Sequence, residues 1–543
     1  MEHYFTLLEK TYRELWDVPA LCNFGGESFS HKDLAVQIEK LHIIFEAAGV
    51  KKGDKITICA NNSARWAISF LAITTYEAVV VPLLSDFHPD NIASLVEHSG
   101  SAILITDTDH LKTLKIENMP HVTSVINLGD FSIHCSTDEK MKEAFANVES
   151  LYNAKYPEGL KPADIHYPTD NWKDLAVINY TSGTTSAPKG VMLRYESFCA
   201  SVDFAIRKIG GWGQTIVSML PMGHIYGLVF EFLFPISNGF TVHYLGKTPS
   251  PTLLLKAVKQ VKPYLVITVP LVMEKIYNSS IKPILSKPAM KVLTAIPGVN
   301  KIIYKVVTNK ILETFGGNVY EFVMGGAALN PDVEAAFRKM GLPYTVGYGM
   351  TEAAPLLAYR DYHEYAQGSC GQYVDYATVR IDSEDPASVV GEIQAKGINI
   401  CSGYYNNPEA SAGAFTDDGF LHTGDLGVMD KDGNIFIRGR SKNMILSANG
   451  QNIYPEEVEA VVNAQDYAIE SVVVDRKAKL VALVYLDKEA LKKAGLEVDA
   501  VAEAIRKTSN KRLPGYSQIT KVEVVDEPFV KTPKMSIKRF MYK

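Results

Sequence analysis

Short runs that are apolar at every position, separated by stretches with helical spacing, constrain this chain more than any other feature. KITIC (Lys55–Cys59), AVVVP (78–82), AILIT (102–106) and LAVINY (175–180) are such runs, and helical patterns at His31–Ala48 and 64–76 lie between them. A strand with one wet face alternates polar and apolar residues. A strand that is apolar throughout must be covered on both faces, as parallel sheets flanked by helices are. The pattern continues through 240–244, 265–269 and 319–324. A chain of 543 residues is too long for one compact core, so two doubly wound α/β regions are expected. Residues 275–315 read as a helical insertion interrupted at Pro288 and Pro297. From Thr378 the chain changes to short strands and turns (TVRID, GEIQAKG, GFLHTGD, KDGNIFIRGR), a β-rich subdomain over about 375–441. The last part predicts a separate α+β unit: helix Pro455–Asn463, a hairpin (SVVVD, LVALVYLD), helix 500–511 and strand Lys521–Val525.

Composition narrows the function classes. A hydrophobic fraction of 47%, a charged fraction of 21% and a net charge of −6 describe an ordinary globular chain without the basic balance of a nucleic-acid binder. Six scattered cysteines with no C-x-x-C pair argue against a zinc site or disulfide framework and fit a reducing cytosol, so a cytoplasmic location is expected. The opening MEHYFTLLEKTYREL lacks the pattern of a signal peptide, and no apolar run reaches the roughly 20 residues of a membrane span. Peripheral membrane contact stays open.

Strand LAVINY runs directly into TSGTTSAPKG and then VMLRYESF. Thr181, Ser182, Gly183, Thr184 and Thr185 make a loop rich in donors, able to wrap phosphate oxygens with backbone N–H and hydroxyl groups while Lys189 adds charge. It is not a Walker A loop, since G-x-x-x-x-G-K-[ST] is absent, and a P-loop phosphotransferase is thereby disfavoured.

Residues 180–190 resemble the signature loop of the adenylate-forming superfamily, which holds acyl-CoA synthetases, luciferases and peptide-synthetase adenylation domains. The family's other signatures follow in order along nearly the whole chain. GYGMTE (347–352) resembles its second nucleotide motif, in which Glu352 offers a hard oxygen for Mg²⁺ on the phosphates. There Thr351 can bond a phosphate, and Tyr348 beside Gly349 gives a flat face for adenine. MGGAALN (324–330) resembles the turn that passes adenine and the acyl group, with Gly325, Gly326 and Ala327 leaving room for the ligand. HTGD (422–425) and IRGR (437–440) resemble the ribose motifs, Asp425 accepting from a vicinal diol and Arg440 contacting the ribose and phosphate side.

On the acyl side, PMGHIYG (221–227) resembles the motif whose aromatic residue, here His224, lies beside the carboxylate. PYLVITVPLVMEKIYNSS and the insertion after it resemble the long-chain fatty acyl-CoA synthetase branch, with residues 230–234 and Val323 candidates for lining an alkyl tunnel. The family hinge maps to Lys442, which divides the chain into 1–441 and a mobile 442–543, with SANGQN (447–452) as a loop brought to the thiol.

The resemblance thus implies ATP-dependent activation of a medium- or long-chain fatty acid to acyl-AMP, followed by transfer to CoA, with Mg²⁺ accompanying ATP. An aryl or short acid, or a carrier protein as acceptor, stays open. The chain departs from its family at one position. Members end in K-T-x-x-G-K-I-x-R, whereas residues 531–539 read K-T-P-K-M-S-I-K-R, which places Ser536 at the catalytic lysine. A serine supplies no positive charge to a developing transition state. In an extended segment Lys534 and Lys538 share a face with position 536 and either could substitute. Otherwise the chain is a protein that holds nucleotide or acyl-AMP without turning it over.

Overall fold

The computed structural model describes residues 1–181, 189–246, 250–446, 451–476, 479–531 and 537–542, with the Thr181 side chain set aside. Two seven-stranded sheets dominate the large N-terminal region. The first runs Ser132–Ser136, Ser124–Asn127, Ile103–Thr106, Lys55–Cys59, Val79–Leu83, Leu175–Thr181 and Lys189–Arg194, parallel inside and antiparallel at both edges. The second runs Tyr344–Val346, Glu321–Met324, Leu265–Thr268, Thr215–Ser218, Thr241–Tyr244, Pro19–Asn23 and Ser28–Ser30. Its strands are parallel except for the last pair. The wholly apolar runs are the central strands, buried on both faces as expected.

One observation lies beyond the sequence pattern. Pro19–Asn23 pairs with Thr241–Tyr244, placing Leu21 opposite Val242, so the chain begins in the second sheet and then builds the first. Helix Ala64–Thr75, buried along nearly its whole length, packs between the two, with Phe70 edge-on to Phe232. One continuous core therefore spans both sheets.

Helix boundaries follow local chemistry. Ser30 and Asp33 form a capping box at the start of His31–Ala48, and Gly49, at φ 79°, closes its end in the left-handed conformation. Asn330 caps Pro331–Met340 by accepting from Asp332 N and Val333 N. The insertion is interrupted near Pro288 and Pro297 as expected, with one helix ending at Leu285 and another at Ala295. Pro288 itself opens the helix Pro288–Ala295, because the first turn has no use for its missing N–H, and Tyr277–Ile281 is a π-helix that periodicity did not announce.

A four-stranded antiparallel sheet follows (Ala377–Asp382, Gly391–Gly397, Leu421–Met429, Ile435–Arg440). The smaller C-terminal domain has its own sheet of Ala468–Asp475, Leu480–Leu486 and Lys521–Val525 and its own core. It meets the rest of the chain through Arg438 to Glu457 at 3.5 Å, Lys282 to Asp466 at 2.8 Å and Arg512 to Asp332 at 2.8 Å. The mixed α/β architecture expected from the sequence is the one observed.

Candidate active site

Parallel sheets place their ligand sites where strands end at their carboxyl edge, because loops and helix N-termini converge there. Here Thr215–Ser218, Leu265–Thr268, Glu321–Met324 and Tyr344–Val346 end around one cavity of about 2750 Å³. Its wall carries Lys189, His224, Gly325–Ala327, Tyr348–Glu352, Asp425, Arg440 and Lys442 from the expected motifs, together with Lys538. Ser182, Gly183, Thr184, Thr185, Lys534, Ser536 and residues 447–450 lie outside the described residues; the backbone of Thr181 pairs with Lys189 at the foot of the loop.

On the polar side two acids are held differently. Asp425 is 5% exposed; Tyr348 Oη donates to its Oδ2 at 2.9 Å, and Arg440 Nε lies 2.9 Å from its Oδ1. Burial pushes the Asp425 carboxyl above its ordinary range, while Arg440 and Tyr348 pull the other way. Glu352 is only partly buried and accepts from Tyr404 Oη at 3.0 Å. The Lys189 ammonium stands 4.9 Å from the centre of the same Tyr404 ring, so one tyrosine braces a cation and a carboxylate together. A cavity-facing carboxylate such as that of Glu352 is a hard oxygen of the kind Mg²⁺ takes alongside phosphate oxygens and water. The HTGD turn is fixed by Glu392, which lies 2.7 Å from His422 Nδ1 and accepts from Gly424 N at 2.9 Å.

The glycines are also constrained by the protein itself. A Cβ on Gly325 would approach Tyr226 Cζ to 3.0 Å, and Gly326 has a φ of 84° with open space around it. Tyr226 and backbone conformation therefore constrain these two residues in addition to any room they leave in the cavity they line.

The acyl side converges on His224, which caps a short helical turn by accepting from Tyr226 N at 3.2 Å and lines the cavity. The loop before it, which leaves strand Thr215–Ser218 of the second sheet, is pinned from the first. Asn62 bonds Leu220 O at 2.7 Å and Met222 N at 2.8 Å, and Asn179 bonds Gly223 O at 3.0 Å. From below, Glu231 Oε2 accepts from Ser218 Oγ, Met219 N and Leu220 N at 3.1, 2.9 and 2.8 Å. Glu231 is fully buried, and burial pushes its carboxyl up to about 8. Of residues 230–234, Phe230 alone faces the cavity; Phe232 and Phe234 pack in the core, which corrects their expected tunnel-lining role. Val323 does line the cavity, as do Ile267, Met290, Val307 and Ile311.

Sequence reasoning missed Tyr404, Glu392 and Glu231. Only the last left a signal, a lone acid inside LVFEFLF (228–234). On either side of 532–536, which lie outside the described residues, Lys531 and Ile537 bridge, Lys531 is held by Glu470 at 2.8 Å, and Arg539 pairs with Glu459. Neither Lys531 nor Arg539 is spare; Lys538 reaches the cavity wall.

The sequence profile of the AMP-binding enzyme family matches residues 8–405, and that of the AMP-binding enzyme C-terminal domain matches 442–542. Long-chain-fatty-acid–CoA ligase FadD15 of Mycobacterium bovis is 27% identical over 93% of this chain and 89% of its own. Among solved structures, the anthranilate CoA ligase AuaEII in complex with anthranoyl-AMP superposes with a TM-score of 0.80 at 18% identity, covering 99% of this chain and 96% of its own. ATP-bound MatB from Rhodopseudomonas palustris gives 0.76 at 22% identity, covering 100% and 98%. The strand-end cavity with Glu352, Asp425 and Arg440 on its wall thus stands in a chain that belongs to the AMP-binding enzyme family and carries that family's C-terminal domain.

Proposed function

We propose that this enzyme joins a medium- or long-chain fatty acid to CoA through an acyl-adenylate. The observation that carries the reading is the single cavity with two chemistries. Lys189, Glu352, Asp425 and Arg440 line one part, an apolar branch of Ile267, Val307, Ile311 and Val323 forms another, and His224 and Gly325–Ala327 share the same wall. The names of relatives such as FadD15 support an alkyl acid.

In the first step a carboxylate oxygen of the acid attacks the α-phosphorus of ATP, the bond to the bridging oxygen breaks, and pyrophosphate leaves. In the second, the thiol sulfur of CoA attacks the acyl carbon, the bond to the AMP oxygen breaks, and the thiol proton passes to solvent. Lys189, with Thr181–Thr185 and Thr351, holds phosphates. Asp425 accepts from the ribose hydroxyls with Arg440 beside it, and Tyr348 and Gly349 border the base. Glu352 would hold Mg²⁺, which when bound neutralises charge on the departing pyrophosphate. Glu231, by fixing 218–220, positions the loop that presents His224 to the carboxylate. The division at 441/442, with Lys442 as hinge, lets 442–543 serve both steps, and a cytoplasmic location belongs to the same proposal.

Ser536 favours a second reading, a protein that binds nucleotide or acyl-AMP without turnover; Lys538 on the cavity wall supports the enzyme instead. The acid and acceptor are tested by mass-spectrometric product analysis across alkyl and aromatic acids, with CoA and a carrier protein offered separately. Alkyl-CoA thioesters are expected. Thioester from aromatic acids alone would remove the fatty-acid reading, and transfer to the carrier protein alone would remove CoA.

A further inference from the structure

Helix Pro288–Ala295 has no buried residue, although its sequence PAMKVLTA is mostly apolar. Val292 is 64% exposed, Leu293 and Ile296 are also exposed, and on the next helix, Val299–Thr314, Ile302 and Val306 stand 67% and 61% exposed. An apolar helix that keeps only Met290 and Thr294 half-buried is unusual in a folded domain, and such a patch marks a surface that something covers.

The charge around the patch says what covers it. From residue 275 to 312 the chain holds lysines but no aspartate or glutamate, within a protein of net charge −6. Lys287, Lys291, Lys301, Lys305 and Lys310 are exposed and, among the described residues, in no ion pair. Apolar side chains ringed by unpaired lysines match the two layers of an anionic bilayer, acyl chains within and phosphate outside.

We propose that the hairpin of helices Pro288–Ala295 and Val299–Thr314 docks on an anionic phospholipid surface, inserting Val292, Leu293, Ile296, Ile302 and Val306 among the lipids. Docking is peripheral, since no helix among the described residues is long and apolar enough to cross a membrane. Ile302 and Val306 also line the cavity, so its apolar branch reaches the surface within the docked patch. An acid dissolved in the bilayer then passes into the site without crossing water. The docking stands apart from the proposed substrate; this route for the acid rests on it.

The test is co-sedimentation of the full chain with vesicles of phosphatidylcholine alone or mixed with phosphatidylglycerol, read as bound fraction and not as activity. The wild type should bind the mixed vesicles, bind phosphatidylcholine far less, and be released by salt. Val292→Asp/Ile296→Asp and Lys287→Glu/Lys291→Glu should each weaken binding by about tenfold or more. These side chains are exposed, and an unchanged thermal midpoint would confirm an intact fold. A wild type that stays in solution with both vesicle types overturns the proposal, as do variants that bind like wild type. Sedimentation velocity separates the other occupant: a wild-type dimer that Val292→Asp/Ile296→Asp dissociates, with no vesicle binding, would make the patch a contact between copies. If alkyl acids fail as substrates while vesicle binding holds, the substrate reading falls and the docking remains.

Discussion

The nucleotide wall and the insertion helices border the same cavity yet are built on opposite plans. On the nucleotide wall nearly every functional side chain is braced by another. Tyr348 and Arg440 hold Asp425, Tyr404 joins Lys189 to Glu352, and Glu392 clamps the HTGD turn. On the insertion, helices Pro270–Ile276, Pro288–Ala295 and Val299–Thr314 have no side-chain cap hydrogen bond, and apolar residues face outward. A polar site gains from preorganisation because its groups must meet developing charge without rearranging. An alkyl chain has no directional contacts to satisfy, so its walls need only volume and apolar surface.

The largest expected effect breaks the contrast at Glu352. Glu352→Gln keeps an oxygen to accept from Tyr404 but removes the charge proposed to hold Mg²⁺. Single-turnover adenylation should slow on the order of a hundredfold, with an unchanged thermal midpoint. Asp425→Ala comes next. It strips Arg440 of its partner and takes from the buried Tyr348 hydroxyl the carboxylate that accepts its hydrogen bond, so KM for ATP should rise about tenfold while stability falls by about 2 kcal/mol. Titrating ATP and unfolding the variant in denaturant reads both.

Glu231 sharpens the comparison, because it is a braced group beneath the acyl side. Its carboxyl is pushed up to about 8 from 4.5. Below the lower value it is neutral in folded and unfolded chains alike. Between the two the unfolded chain ionises while the folded chain keeps its proton, so stability falls as pH rises, and above about 8 the loss is complete. Glu231→Gln imitates the neutral acid and preserves one acceptor for Ser218, Met219 and Leu220. Denaturant midpoints across this window should therefore decline less with pH than those of the wild type. On the insertion, Val307→Trp fills part of the apolar branch. It should lower kcat/KM for long acids and spare short ones, a split visible in a chain-length series. The smallest effect is at the surface. Arg512→Ala removes one exposed ion pair between the domains and should cost less than about 1 kcal/mol.

Where local chemistry decides structure, sequence patterns reached the residue. His31–Ala48, Lys55–Cys59, Pro455–Asn463 and Lys521–Val525 have the expected bounds, since caps, prolines and unbroken apolar runs mark them. Pro19–Asn23 joining Thr241–Tyr244 was not legible, because nothing within a short strand names a partner more than two hundred residues away. The site divides the same way. Motif residues such as Glu352 and Asp425 were readable from spacing and resemblance, and the structure brings them to one cavity. Tyr404 and Glu392, which hold them in place, reach across the fold from segments with no chemical signature of their own.

The central claim is that this chain makes acyl-adenylate despite Ser536, and acid-dependent ATP–pyrophosphate exchange tests it directly. The wild type should exchange label when a medium- or long-chain fatty acid is present and not without it, while Glu352→Gln should fall near background. Exchange that appears only in Ser536→Lys, or in neither protein with any acid, would contradict the claim.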